Sequence, residues 1–189
     1  DVETLDRAFE MGARHITHFP NALDPLHHRN PGAVGWGLVH GSVTMDCIAD
    51  FHHVHPMMLR LMHQSKGSHR LALISDAISP AGLGDGEFTV WGERISVAGG
   101  KTALVEGAAQ GTLAGSVITV RQALKNFIHL GVPIHEAVRM CSLTPARVAG
   151  IDHECGSIEE GKRADLVAFD EELSIRLVVV DGEVCRLNR

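Results

Sequence analysis

The sequence predicts an α/β protein organised on a parallel sheet, and three observations point there. Short apolar runs alternate with segments of helical period, the pattern of repeated β–α units. One run, Leu71-Ala72-Leu73-Ile74-Ser75, is almost continuously apolar, as befits a strand covered on both faces. His, Asn and Asp residues collect just past the ends of these runs, where a parallel α/β barrel lines its pocket.

The elements follow in order. Val2, Leu5 and Phe9 share one helix face, and Gly12 stops that helix. A strand is expected at about His15 to His18. The glycine-rich stretch from Asn30-Pro31-Gly32 to Gly41 reads as a loop with a short helix. Val43 to Ala49 is a second strand, and Pro56 opens a helix over Met57 to Gln64. Leu71 to Ser75 is the third strand. Phe88 to Val97, split at Gly92-Glu93, reads as a β-hairpin, with Gly99-Gly100 as a turn. A helix capped by Ser116 is expected over Ser116 to Leu130, another over Ile134 to Met140, and a short one after Pro145. Ala164 to Phe169 and Ile175 to Val180 are strands of a small β appendage, and Asp181-Gly182 is a second tight turn.

Composition narrows the function classes. The 189 residues are 44% hydrophobic, enough for a real core in one domain or a domain with an appendage. No apolar run approaches the roughly 20 residues of a membrane span, which argues against a membrane partner. A net charge of −6 without a basic stripe argues against nucleic acid. Cys47, Cys141, Cys155 and Cys185 form no Cys-x-x-Cys pair, which fits a reducing cytoplasm. The chain opens at Asp1 directly in a helical pattern, so an upstream part is expected.

Three strand ends carry chemistry. The first offers His18 and Asn21, the second Asp50, His52, His53 and His55, and the third Asp76. An imidazole past a strand end can bind a divalent ion through a neutral nitrogen, although a lone loop His is more often simply hydrogen-bonded. His53-Val54-His55 suggests a ligand pair, yet Pro56 begins a helix at once and leaves His55 to pack or cap. Asp76 can be a general base or a cap on the next turn, and its position alone does not choose.

Taken together, several motifs resemble the N-acetylglucosamine-6-phosphate deacetylases of the amidohydrolase superfamily. They are Thr17-His18-Phe19-Pro20-Asn21-Ala22-Leu23, Arg29-x-Pro31-Gly32, Ile48-Ala49-Asp50-Phe51-His52-His53-Val54-His55-Pro56 and Ser75-Asp76-Ala77. Further along come Leu113-Ala114-Gly115-Ser116, Thr144-Pro145-Ala146 and Gly156-Ser157-Ile158-x-x-Gly161-Lys162-x-Ala164-Asp165-Leu166-Val167. Their order and spacing cover nearly the whole chain and match the family's C-terminal half.

The resemblance implies the last three strands or so of a (β/α)8 TIM-type barrel in residues 1–150, and strands of a small β-sandwich domain in 151–189. It implies metal-dependent hydrolysis of N-acetylglucosamine 6-phosphate to glucosamine 6-phosphate and acetate, with zinc as the expected divalent metal and a homodimer as the expected assembly. His18 would be a metal ligand and Asp76 the catalytic carboxylate. Asn21, Ala22 and Arg29 would hold the sugar phosphate, Arg29 through a bidentate fork. His53 would reach the substrate amide, and Leu113, Ala114 and Gly115 would line the pocket. In the family a Glu and a second His complete the metal site, and both would lie upstream of Asp1. Phe51 stands where the family usually has Gly, which matters if the backbone there needs a positive φ, and Pro20 stands where it usually has an aromatic. Two other readings stay open: a different amidohydrolase, such as a deaminase or cyclic amidase, and a truncated, non-catalytic homologue.

Overall fold

Helix α1, Val2–Glu10, starts where the Asp1 carboxylate accepts a hydrogen bond from the Thr4 amide, 2.8 Å away, and ends before Gly12. The computed structural model describes residues 1–185. The chain then enters strand β1, His15–Ile16, and through a loop and helix α2, Gly32–Val39, reaches strand β2, Thr44–Ile48. Helix α3, Pro56–Lys66, leads to strand β3, Leu71–Ile74. The three strands pair in parallel in the order β1-β2-β3. Their C-terminal ends therefore open onto the same side of the sheet.

The sheet carries the main core. Every residue of β2 from Met45 to Ile48 is buried, whichever face it points to, because the sheet is covered on both. Helices α4, Val120–His129, α5, Ile134–Cys141, and α6, Leu143–Ala149, all pack on β3. Phe127 of α4 and Met140 of α5 are fully buried against the β2 and β3 side chains. Helix α2 lies close over β1 because Gly37 has no side chain: a Cβ there would sit 2.8 Å from Ile16 Cδ1 and 3.1 Å from Phe19. Burial pushes the Cys141 thiol up to about 12 and that of Cys47 higher still, so neither is a ready nucleophile.

Two antiparallel sheets complete the chain. Strands β4, Gly86–Val90, β5, Glu93–Ala98, and β6, Lys101–Leu104, form one; β7, Leu166–Phe169, β8, Ile175–Val180, and β9, Glu183–Cys185, form the other. The expected hairpin over Phe88 to Val97 is thus two strands of three, the Gly99-Gly100 turn leading to β6. In the same way Asp181-Gly182 leads to β9.

Three other expectations shift. β1 is two residues long rather than four, because His18 turns to φ +35° and leaves the ladder. Helix α4 begins at Val120, and its cap is Thr119, whose Oγ1 accepts from the Gln122 amide at 3.2 Å. Ser116 is instead fully buried and hydrogen-bonds the Ser75 carbonyl through its hydroxyl. The short helix near Pro145 starts two residues earlier, at Leu143.

Candidate active site

The first loop is held from β2. Asp46 is buried in that strand, accepts the His18 backbone N–H on Oδ1 and meets His15 Nε2 on Oδ2 at 2.8 Å. His15 Nδ1 meets Thr44 Oγ1 at 2.9 Å, which ties β1 to β2 through side chains as well as the ladder. The Phe19 amide donates to the Asp46 carbonyl at 2.9 Å, and its ring is fully buried. His18 is left with an Nδ1 that is buried and has no hydrogen-bond partner, alone in this among the side-chain nitrogens and oxygens of the described residues. A buried imidazole nitrogen without a partner is costly unless a ligand uses it. This fits His18 as one ligand of a divalent ion. The fit extends to one ligand: among the described residues no group of three or more His, Cys, Asp or Glu could hold a metal.

Asn21 has a local task. Its side-chain amide and its backbone N–H both donate to the His18 carbonyl, at 2.9 and 2.8 Å, so Asn21 braces the turn that presents His18. Ala22 follows at φ +60°. Arg29 lies exposed in the short turn closed by the His27–Asn30 bridge, and its guanidinium forms no ion pair among the described residues.

The second loop turns on Asp50. Its Oδ1 accepts the backbone N–H groups of His52 and His53, at 2.9 and 2.8 Å, and its Oδ2 meets His53 Nδ1 at 2.7 Å. Burial opposes the charge on this carboxylate, but these donors outweigh it and hold Asp50 below the usual aspartate range. Phe51 stands at φ +66°, the positive φ that would explain a glycine in the family. His55 is the N-cap of α3, its Nδ1 accepting from the Met57 amide at 3.2 Å. It caps rather than coordinates.

The third loop begins at Asp76, exposed and at φ +47°. Ala77 bridges Ser116 in parallel: the Ser116 amide donates to the Asp76 carbonyl and the Ile78 amide to the Ser116 carbonyl, both at 2.9 Å. Gly115 is thereby brought against the Asp76 loop and Ala114 packs on the cluster of Ile78, Val90 and Ile95, with Leu113 preceding them in the chain. Contact is close enough that a Cβ on Gly115 would lie 2.6 Å from Ile78 Cγ2 and 3.3 Å from the Asp76 carbonyl oxygen. No hydrogen bond or ion pair joins the side chains of His18, His53 and Asp76 to one another. What they share is the same end of the sheet.

The roles of Asp46 and Asp50 were not assigned from the sequence. Asp46 carried a signal, a carboxylate inside the apolar strand Val43 to Ala49, where a charge must have partners.

The structure puts imidazoles and a carboxylate on loops at the C-terminal ends of parallel strands, the end at which α/β folds of this class bind their ligands. The chain matches the amidohydrolase family over residues 2–185 and belongs to it. Among its relatives, the N-acetylglucosamine-6-phosphate deacetylase of Vibrio furnissii is 41% identical over 97% of this chain and 45% of its own length. A putative N-acetylgalactosamine-6-phosphate deacetylase of Escherichia coli K12 is also 41% identical, over 88% of this chain and 98% of its own length. The crystal structure of the N-acetylglucosamine-6-phosphate deacetylase of Thermotoga maritima superposes with a TM-score of 0.89 at 38% identity, covering 96% of this chain and 49% of that one. This chain spans about half the length of most of the curated relatives it matches.

Proposed function

We propose that this chain contributes the substrate grip and the proton-handling groups of a metal-dependent deacetylase acting on N-acetylglucosamine 6-phosphate. The observation that carries this reading is 41% identity, over 97% of this chain, to a deacetylase named for that sugar. In the same reading, residues 1–150 are the last strands of a (β/α)8 barrel and 151–189 belong to a small β-sandwich. The apolar residues exposed on β7, β8 and β9, among them Val167, Val180 and Val184, are what a second sheet would cover.

In the mechanism, Arg29 grips the sugar phosphate through two parallel N–H bonds, and the Asn21–Ala22 turn fixes the other side of the phosphorylated sugar. Leu113 to Gly115 close the pocket beside Asp76. A divalent ion, zinc being the natural partner of imidazole, supplies polarisation of the acetyl carbonyl and a more acidic water when bound, with His18 as one of its ligands. Asp76 accepts the proton of the attacking water and passes it to the departing nitrogen as the C–N bond breaks, releasing acetate and the free amine. With both ring nitrogens protonated, His53 meets the charge that develops on the acetyl oxygen, a contribution of about 3 kcal/mol for a donor of that type.

A second sugar is favoured by a specific observation: the E. coli K12 relative, equally identical, is named for the galactosamine epimer. The test offers the purified chain N-acetylglucosamine 6-phosphate, N-acetylgalactosamine 6-phosphate and unphosphorylated N-acetylglucosamine, with metal content measured beside acetate release. Release from the first alone supports the proposal, and preference for the second moves the assignment to the epimer. Equal rates with the unphosphorylated sugar remove Arg29 from its phosphate role. A metal-free, inert chain favours a non-catalytic homologue.

A further inference from the structure

The His53 ring has two nitrogens, and only one of them is committed. Nδ1 lies 2.7 Å from Asp50 Oδ2, with both side chains at least 93% buried. The other carboxylate oxygen of Asp50 is occupied by two backbone N–H donors, from His52 and His53. Asp50 is thereby fixed in rotation, since both of its oxygens are held by the loop that carries His53. Its carboxylate stays ionised, because those donors hold it below the usual aspartate range, and an ionised carboxylate only accepts. Nδ1 must then carry the hydrogen. His53 Nε2 has no hydrogen-bond partner among the described residues and is not sealed from solvent, so it is the nitrogen a ligand can reach.

The geometry points to Asp50 as a positioning residue that locks His53 in its Nδ1–H form and presents Nε2 to the substrate. This rests on the reading of His53 as a substrate contact and deepens it. With Nδ1 committed, a neutral His53 can only accept at Nε2, from a sugar hydroxyl or an amide N–H. It donates to the acetyl oxygen only when Nε2 carries a second proton, so Asp50 decides which of two substrate bonds each protonation state can make. No other side chain among the described residues hydrogen-bonds the ring nitrogens, which leaves tautomer control to this one carboxylate.

The test is nitrogen-15 spectroscopy of the histidine-labelled chain, with His53 assigned by its loss in His53→Gln. At a pH where the ring is neutral, the wild type should show the protonated nitrogen at Nδ1 and the bare one at Nε2. In Asp50→Asn the side-chain amide can donate to Nδ1, and the proton should move to Nε2. A wild-type ring protonated at Nε2 overturns the proposal, and so does an Asp50→Asn ring with the wild-type tautomer. Should Asp50→Asn not fold, Asp50→Glu keeps the acceptor and must restore the Nδ1–H signature; the wild-type spectrum decides by itself in any case. None of these signals depends on turnover, so the wrong tautomer overturns the positioning role whatever the chain hydrolyses, and the acetate assay tests the deacetylase reading separately.

Discussion

Four residues at the C-terminal end of the parallel sheet occupy backbone that L-residues rarely adopt: His18 at φ +35°, Ala22 at +60°, Phe51 at +66° and Asp76 at +47°. Such conformations cost about 1–2 kcal/mol each and persist where the surroundings fix them. Here the fixing contacts are visible, since Asp46 holds the His18 amide, Asn21 its carbonyl, and Ser116 the Asp76 carbonyl. On the proposed mechanism, replacing Asp76 by Asn should leave the fold intact by circular dichroism while acetate release falls by about 100- to 10,000-fold, the range for a lost general base. Undiminished turnover would take Asp76 out of the mechanism. Gly115→Ala should lower stability by about 1–3 kcal/mol in urea unfolding, because its Cβ would strike Ile78 at a residue already at φ +63°. Asp50 makes a pH-dependent contribution whose sign is set by its lowered folded-state pKa. The stability it adds is complete above the ordinary aspartate value of about 3.9 and is lost as pH falls through the lower folded value. Urea midpoints measured down that range should therefore decline more steeply for the wild type than for Asp50→Asn.

At the scale of elements, α2 and α3 are joined by one buried cation. The Lys66 ammonium, at the end of α3, donates to the carbonyls of Gly37 and His40 at 2.9 and 2.7 Å, and so serves the carbonyls at the C-terminus of α2. Lys66→Met keeps most of the stem but leaves those carbonyls without this donor, a loss of about 1–3 kcal/mol in urea unfolding. An unchanged midpoint would mean that water replaces the ammonium there. Most element positions were legible in the sequence because the periodicities are strong: α1, β2, α3, β3 and α5 fall within one or two residues of expectation. β6 and β9 were missed because each is short and follows a glycine turn, so the pairing partner, more than the local pattern, makes it a strand. Ser116 looked like a cap because its hydroxyl precedes a helical run; the tertiary pairing with Ala77 claims it instead.

Across the whole molecule, burial is uneven. The core around β2, β3, Phe127 and Met140 is closed, whereas Val167, Val180 and Val184 of the last sheet are about half exposed. Backbone amides of β2 and β3 should exchange with solvent only through global unfolding, and those of β7 to β9 well before it, as read by native-state hydrogen exchange. Equal protection in the two sheets would show that the last sheet folds as one unit with the core.

The sequence by itself determined the α/β class, the three strand ends at which His, Asn and Asp collect, and the family, since apolar period and motif spacing are local properties of the chain. It flagged Phe51 as a position where a positive φ would matter, which the backbone adopts. The tertiary structure decided what those residues touch. Asp46 under the His18 loop, Asp50 against His53, and Gly115 against the Asp76 loop are contacts between segments or within a folded loop, and no periodicity encodes them. Buried polar groups must find partners, and which partner each one finds is settled only when the chain closes on itself.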